Sequence, residues 1–183
     1  MSWIDEFLAD GPEYVAEARS VQDIQDLLLR AGLGVKLPLD IAADFAGMAA
    51  LLMSDPSLFA MAVAALEGPH LPVRVEGTLE HKVIDGASIV MAAPQLSAAF
   101  VDGATRVVLH GLAWPQLLWP LLLRIEQVYG FASQVSRPDA HTVMVSKTAT
   151  GMARLAAPQP VPLIPLARLK VLAVDAPDAE GTG

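Results

Sequence analysis

The chain has no cysteine in its 183 residues. That absence removes disulfide frameworks, thiolate-ligated zinc, iron–sulfur clusters and thiol nucleophiles together. Charge is sparse as well: only 17% of residues are charged, and 12 Lys and Arg stand against 20 Asp and Glu, a net of −8. The cations occur singly, whereas neutralising phosphates needs them clustered. Neither nucleic acid nor an anionic membrane surface is therefore expected as a partner. The start, Met1-Ser2-Trp3-Ile4-Asp5-Glu6, is acidic where a secretory leader is basic, so a cytoplasmic protein is expected. The longest apolar stretch, residues 111–123, is interrupted by Pro115, Gln116 and Pro120. As a helix it is too short to cross roughly 30 Å of hydrocarbon.

What the chain has in quantity is apolar surface. Apolar residues make up 54% of it, enough for a large core in one domain of this length. With so little charge to cover the outside, the surface itself is expected to be apolar. That predicts a homo-oligomer or a protein partner.

Helical signals come first. Residues 1–10 read as a short amphipathic turn or helix stopped by Gly11-Pro12. Ser20 suits a helix N-cap, with Asp23 near the positive end. Val21, Ile24, Leu27, Leu28 and Ala31 then recur at helical spacing, and Gly32 and Gly34 read as the stop. Pro38 starts a second helix to about Met53, with Leu37, Ile41, Phe45, Met48, Leu51 and Leu52 on one stripe. Asp55-Pro56 caps a third, running through Leu66 until Gly68-Pro69.

Strand signals follow. Residues 73–78 alternate apolar and polar, 87–91 form an apolar strand candidate, and 105–109 are rich in β-branched residues. Residues 94–101 read as a short helix. A longer one starts at Pro115 or Pro120 and ends at Gly130. Residues 131–136 and 141–147 both alternate and read as a hairpin, with Pro138 at the second position of a type I turn. A Pro- and Ala-rich connector at 156–165 leads to a closing strand at 168–174 and a tail at 175–183 expected to be disordered. Helices leading and strands following predict an α+β fold, a helical N-terminal half packed on a small mixed or antiparallel sheet. One domain is expected over 1–174, with 1–68 mostly helical and 69–174 carrying strands and two helices.

No residue set is armed for chemistry. The histidines His70, His81, His110 and His141 lack metal-ligand spacing, so no metal is expected. Gly32-Leu33-Gly34 follows no strand, and the phosphate-loop and dinucleotide patterns are missing, so no cofactor is expected. Ser146 and Lys147 are adjacent in a strand and point to opposite faces. Asp85 reads as a turn residue. Asp23 with Asp26, and Asp40 with Asp44, read as solvated faces. Arg124, Glu126 and Tyr129 read as the wet side of their helix. The most informative stretch is His110-Gly111-Leu112-Ala113-Trp114-Pro115, where a strand gives way to a helix and free amides converge. His110 and Trp114 are the candidate ligand-binding residues there, beside the plainer reading that His110 ends a strand and Trp114 packs a helix on the sheet. No catalytic residue is assigned.

The run Ala113-Trp114-Pro115-Gln116-Leu117-Leu118-Trp119-Pro120-Leu121-Leu122-Leu123, with Gly130 and Phe131 after it, resembles a proteobacterial family known as a domain of unknown function. Asp23-Ile24 and Ala31-Gly32-Leu33 match that family's helical first half. The resemblance implies packing motifs and brings no activity.

Two functions are compatible with these residues. One is a non-catalytic accessory subunit or interaction module. The other is a small-molecule-binding protein or enzyme with a pocket between the helical half and the sheet, near His110 and Trp114.

Overall fold

The computed structural model describes residues 2–10, 14–148 and 159–177. The elements run α1 (Trp3–Ala9), β1 (Ala16–Glu17), α2 (Val21–Gly34), α3 (Leu39–Ala46), α4 (Ala49–Leu52), α5 (Pro56–Glu67), β2 (Arg74–Gly77), β3 (His81–Asp85) and α6 (Ile89–Val101). They continue with β4 (Arg106–His110), a 3-10 turn (Pro115–Leu117), α7 (Leu118–Tyr129), β5 (Ala132–Asp139), β6 (Thr142–Thr148), β7 (Val161–Pro162) and α8 (Leu163–Val174). The fold class is α+β. No helix among the described residues is long and apolar enough to cross a membrane.

The sequence reading draws one domain over 1–174. The chain folds as two compact units, Met1–Gly68 with Leu155–Gly183, and Pro69–Arg154. Their boundary falls where helical periodicity gives way to alternation. Of the expected connector and tail, only 159–165 and 175–177 lie within the described residues.

In the first unit, capping residues start the helices as the sequence predicts. Ser20 Oγ accepts from the Asp23 amide at 3.0 Å, and Asp55 accepts from the Ser57 amide at 2.8 Å. α5 is buried nearly all round, with Leu58, Phe59, Ala60, Met61, Ala62, Val63, Ala65 and Leu66 in the core. Three expectations need correction. First, the helix does end at Gly34, but Gly32 lies inside α2 and neither glycine supplies a left-handed stop. They are small so that other backbone can come close: a Cβ on Gly32 would meet Ala42 Cβ at 2.8 Å, and one on Gly34 would collide with the Leu172 carbonyl. The actual stop is Lys36 at φ 68. Its amide donates to Leu33 O and that of Leu37 to Gly32 O, each at 3.0 Å, which is a Schellman motif with lysine where glycine is usual. Left-handed backbone costs a side-chain-bearing residue roughly 1 kcal/mol. Lys36→Gly is therefore expected to stabilise the chain by about 0.5–1 kcal/mol, read as a higher denaturant midpoint. Second, the helix expected over 38–53 breaks into α3 and α4, because the chain turns at Gly47 and Met48 and their amides fold back on Ala43 and Phe45 carbonyls. Third, 168–174 is helix, not strand. Leu166, Leu169 and Ala173 are buried at helical spacing, and that period overrides the short alternation. Arg168 Nη2 donates to Glu67 at 2.7 Å, its guanidinium lies 4.8 Å over the Trp3 ring, and Trp3 Nε1 donates to Glu67 at 3.0 Å.

The second unit is a five-stranded mixed sheet in the order β2-β3-β4-β6-β5. β3 and β4 are parallel and joined through α6, and every other neighbouring pair is antiparallel. α6 packs on β3, α7 on β5, and the two helices touch each other, so both cover one face. Ile84, Val107, Leu109, Val143 and Val145 are the buried side chains beneath them. The strand expected at 87–91 is a correction: the strand is β3, and Ile89 already belongs to α6. Ser88 Oγ accepts from the Met91 amide at 3.3 Å, and that cap outweighs the β-branched Ile89 and Val90. The expected hairpin forms, with Val135 opposite Val145. Its turn is displaced, because the register shifts between Ser136 and Asp139. Pro138 sits in that bulge, where its missing N–H costs no ladder bond. Asp139 accepts from the His141 amide at 2.8 Å, which holds its carboxyl below the usual carboxylate range, with the Thr142 hydroxyl helping.

Candidate functional site

His110 ends β4 as the sequence suggests. It is exposed, and its Nδ1 lies 3.1 Å from Thr142 Oγ1. Cross-strand register places Arg74, Asp85, His110 and Thr142 in one row, so their side chains share the sheet face turned away from α6 and α7. Trp114 is half-buried and has left-handed backbone, φ 58 and ψ 52, immediately before Pro115. No group of three His, Asp or Glu among the described residues is placed to hold a metal ion.

A concave feature of this unit lies one turn further on. A groove of about 330 Å³ is lined by Pro115, Gln116, Leu118, Trp119, Leu122, Leu123 and Glu126 from the 3-10 turn and α7, and by Ser133 and Val135 from β5. Neither His110 nor Trp114 is among its lining residues. The pattern on α7 explains the wall. Trp119, Leu122, Leu123 and Glu126 follow one another at i, i+3, i+4 and i+7, one helix face. Pro120 is tolerated because it lies in the helix's first turn. Trp119 is 48% exposed and Val135 45%, large apolar surface for water to meet.

Two polar atoms in this groove stand out. Glu126 Oε1 and Ser133 Oγ are both buried, and neither has a hydrogen-bond partner among the described residues. A buried oxygen left without a donor costs about 1–3 kcal/mol, and more when charged. Glu126 also sits in the last turn of α7, where the helix dipole disfavours an anion. The fold alone thus gives this carboxylate little support.

β5 is an edge strand. Lys147 donates its amide to Thr105 O at 2.8 Å, toward β4, and Gly111 to His141 O at 2.8 Å sets the same phase. In antiparallel pairing a residue's N–H and C=O point to one side, and the side alternates along the strand. Ala132, Gln134 and Ser136 therefore bond to β6. Ser133 and Val135, the groove's own residues, present their N–H and C=O to the open edge. Lys147 Nζ lies 3.9 Å over the Phe131 ring and donates to Phe100 O at 3.3 Å, which fastens the start of the strand. In the first unit a second cleft of about 220 Å³ is lined by Arg19, Arg30, Lys170, Asp23, Asp26 and Leu27. Its charges largely offset one another.

Sequence reasoning located the strand-to-helix passage and missed the groove. The sequence reading puts Glu126 on the wet side of its helix together with Arg124 and Tyr129. The usable signal was its spacing of seven from Trp119.

No family model matches the chain. No curated protein matches it either. Among solved structures, a malate dehydrogenase from Entamoeba histolytica is similar at 11% identity and a TM-score of 0.39, over 54% of this chain and 33% of that one. The chain spans about a third of that protein's length, and so slight a likeness transfers no function.

Proposed function

We propose that the chain is a non-catalytic interaction module whose second unit receives an extended protein segment along the free edge of β5. The observation that carries this reading is the coincidence of two features at Ser133 and Val135. Their main-chain groups face the open edge, and their side chains line an apolar groove walled by Trp119, Leu122 and Leu123. A segment pairing there gains main-chain hydrogen bonds from the edge. It places every second side chain against α7, the arrangement by which strand addition combines affinity with selectivity. The sparse charge of the chain and the exposed Trp119 and Val135 fit such a role.

Selection of a displayed library of short random peptides on the full chain tests the reading. Enriched sequences should alternate apolar and polar residues, and their binding should compete with an excess of one such synthetic peptide. Enrichment of helical i, i+4 patterns, or of no pattern, would count against strand addition.

A further inference from the structure

Resting on the strand-addition reading, we infer that the segment received is β5 of a second copy of this chain, and that Arg137 of each copy pairs with Glu126 of the other. The argument starts from what the groove requires. Its apolar wall calls for an apolar side chain. The buried, unpartnered Glu126 Oε1 calls for a cationic donor. On an extended segment, side chains on one face recur every second residue, so the fitting pattern is an apolar residue with a cation two positions away. β5 itself carries it, in Val135-Ser136-Arg137. Val135 is exposed, and so is Arg137.

The main chain agrees with the side chains. A two-fold axis through Val135 sets Val135 opposite Val135 of the second copy and Ser133 opposite Arg137 of the second copy. Ser133 and Val135 lie on the odd phase whose N–H and C=O face the open edge, so the central Val135 pair can exchange both hydrogen bonds, and Arg137 follows as the first residue of the bulge. Ser133 lines the groove together with Glu126. Arg137 of the second copy therefore arrives beside Glu126, and symmetry forms the ion pair twice. The bulge that opens after Ser136, with Pro138 in it, ends the pairing at Arg137, which fixes the register against slippage. The union makes a continuous ten-stranded sheet and removes Trp119 and Val135 from water.

Sedimentation velocity of the full chain across a concentration series tests this, with charge reversal as the discriminating step. The wild-type chain should sediment as a dimer at micromolar concentration. Glu126→Arg and Arg137→Glu should each weaken the dimer about thirtyfold or more, the loss expected when one partner of a desolvated charge pair is reversed. Combining them should restore it. Circular dichroism of each variant should match the wild type, which separates lost association from lost folding. A wild-type monomer at every concentration, or a dimer indifferent to both reversals, overturns the second-copy inference. In either case peptides from the selection above that alternate and protect the Ser133 and Val135 amides would leave strand addition standing. Loss of that protection as well would remove both.

Discussion

Gly34→Ala is expected to destabilise the chain by about 2 kcal/mol or more. Helix propensity argues the other way: Gly34 lies in the last turn of α2, and alanine is worth up to about 1 kcal/mol over glycine in a helix. Packing decides the sign. α8 crosses α2 with its backbone so close that a Cβ at 34 would fall on the Leu172 carbonyl. Neither backbone can swing aside as a side chain would. Relief requires α8 to move, and Leu166, Leu169 and Ala173 are buried on it. Gly68→Ala is the matched control, because its Cβ would find Ala65 O at 3.4 Å, ordinary contact. Denaturant midpoints of the two variants should shift far apart, Gly34→Ala downward and Gly68→Ala hardly at all. Equal midpoints would mean that α2 and α8 are not held at this separation.

Val135→Pro should leave the fold intact and abolish association, weakening it by at least about thirtyfold, since it takes both a main-chain donor and a central apolar side chain from the contact. The reason lies in the alternation of β5. The Val135 amide faces the open edge, so proline there breaks no bond to β6, and edge strands accept proline where the N–H would face solvent. Gln134→Pro differs by one position and should do the opposite. It removes a ladder donor to β6 and leaves a Ser146 acceptor unpaired, at about 1–3 kcal/mol. A thermal melt and a sedimentation run on each variant separate the two outcomes. Lost association with an unchanged melt is expected for position 135, and a lowered melt for position 134.

The contrast between the legible and the hidden parts of this chain has a physical basis. Ser20, Asp55-Pro56 and the alternating pair before and after residue 138 announced α2, α5 and the β5–β6 hairpin, because caps and period-two patterns act locally. α6 and α8 were misread for one reason: short β-branched or alternating runs, Ile89-Val90 and 170–174, resemble strands until burial at helical spacing selects the other period. The glycines of α2 looked like a stop, since close approach of α3 and α8 is a tertiary event that no local window contains. The candidate site was half legible. The reading placed interest on the passage from β4 into the next helix, where Trp114 holds left-handed backbone. The groove is built one turn later, from one face of α7 and the edge strand β5 that folds back beneath it. Glu126 joins it only because α7 lies over β5.

Residue-resolved amide exchange on the assembled chain, compared with the dilute chain, probes the strand-addition claim most directly. The account predicts an alternating signature along β5. Ala132 and Gln134, already bonded to β6, exchange slowly in both states, while Ser133 and Val135 pass from fast to slow on assembly. Assembly that leaves Ser133 and Val135 exchanging fast would contradict it.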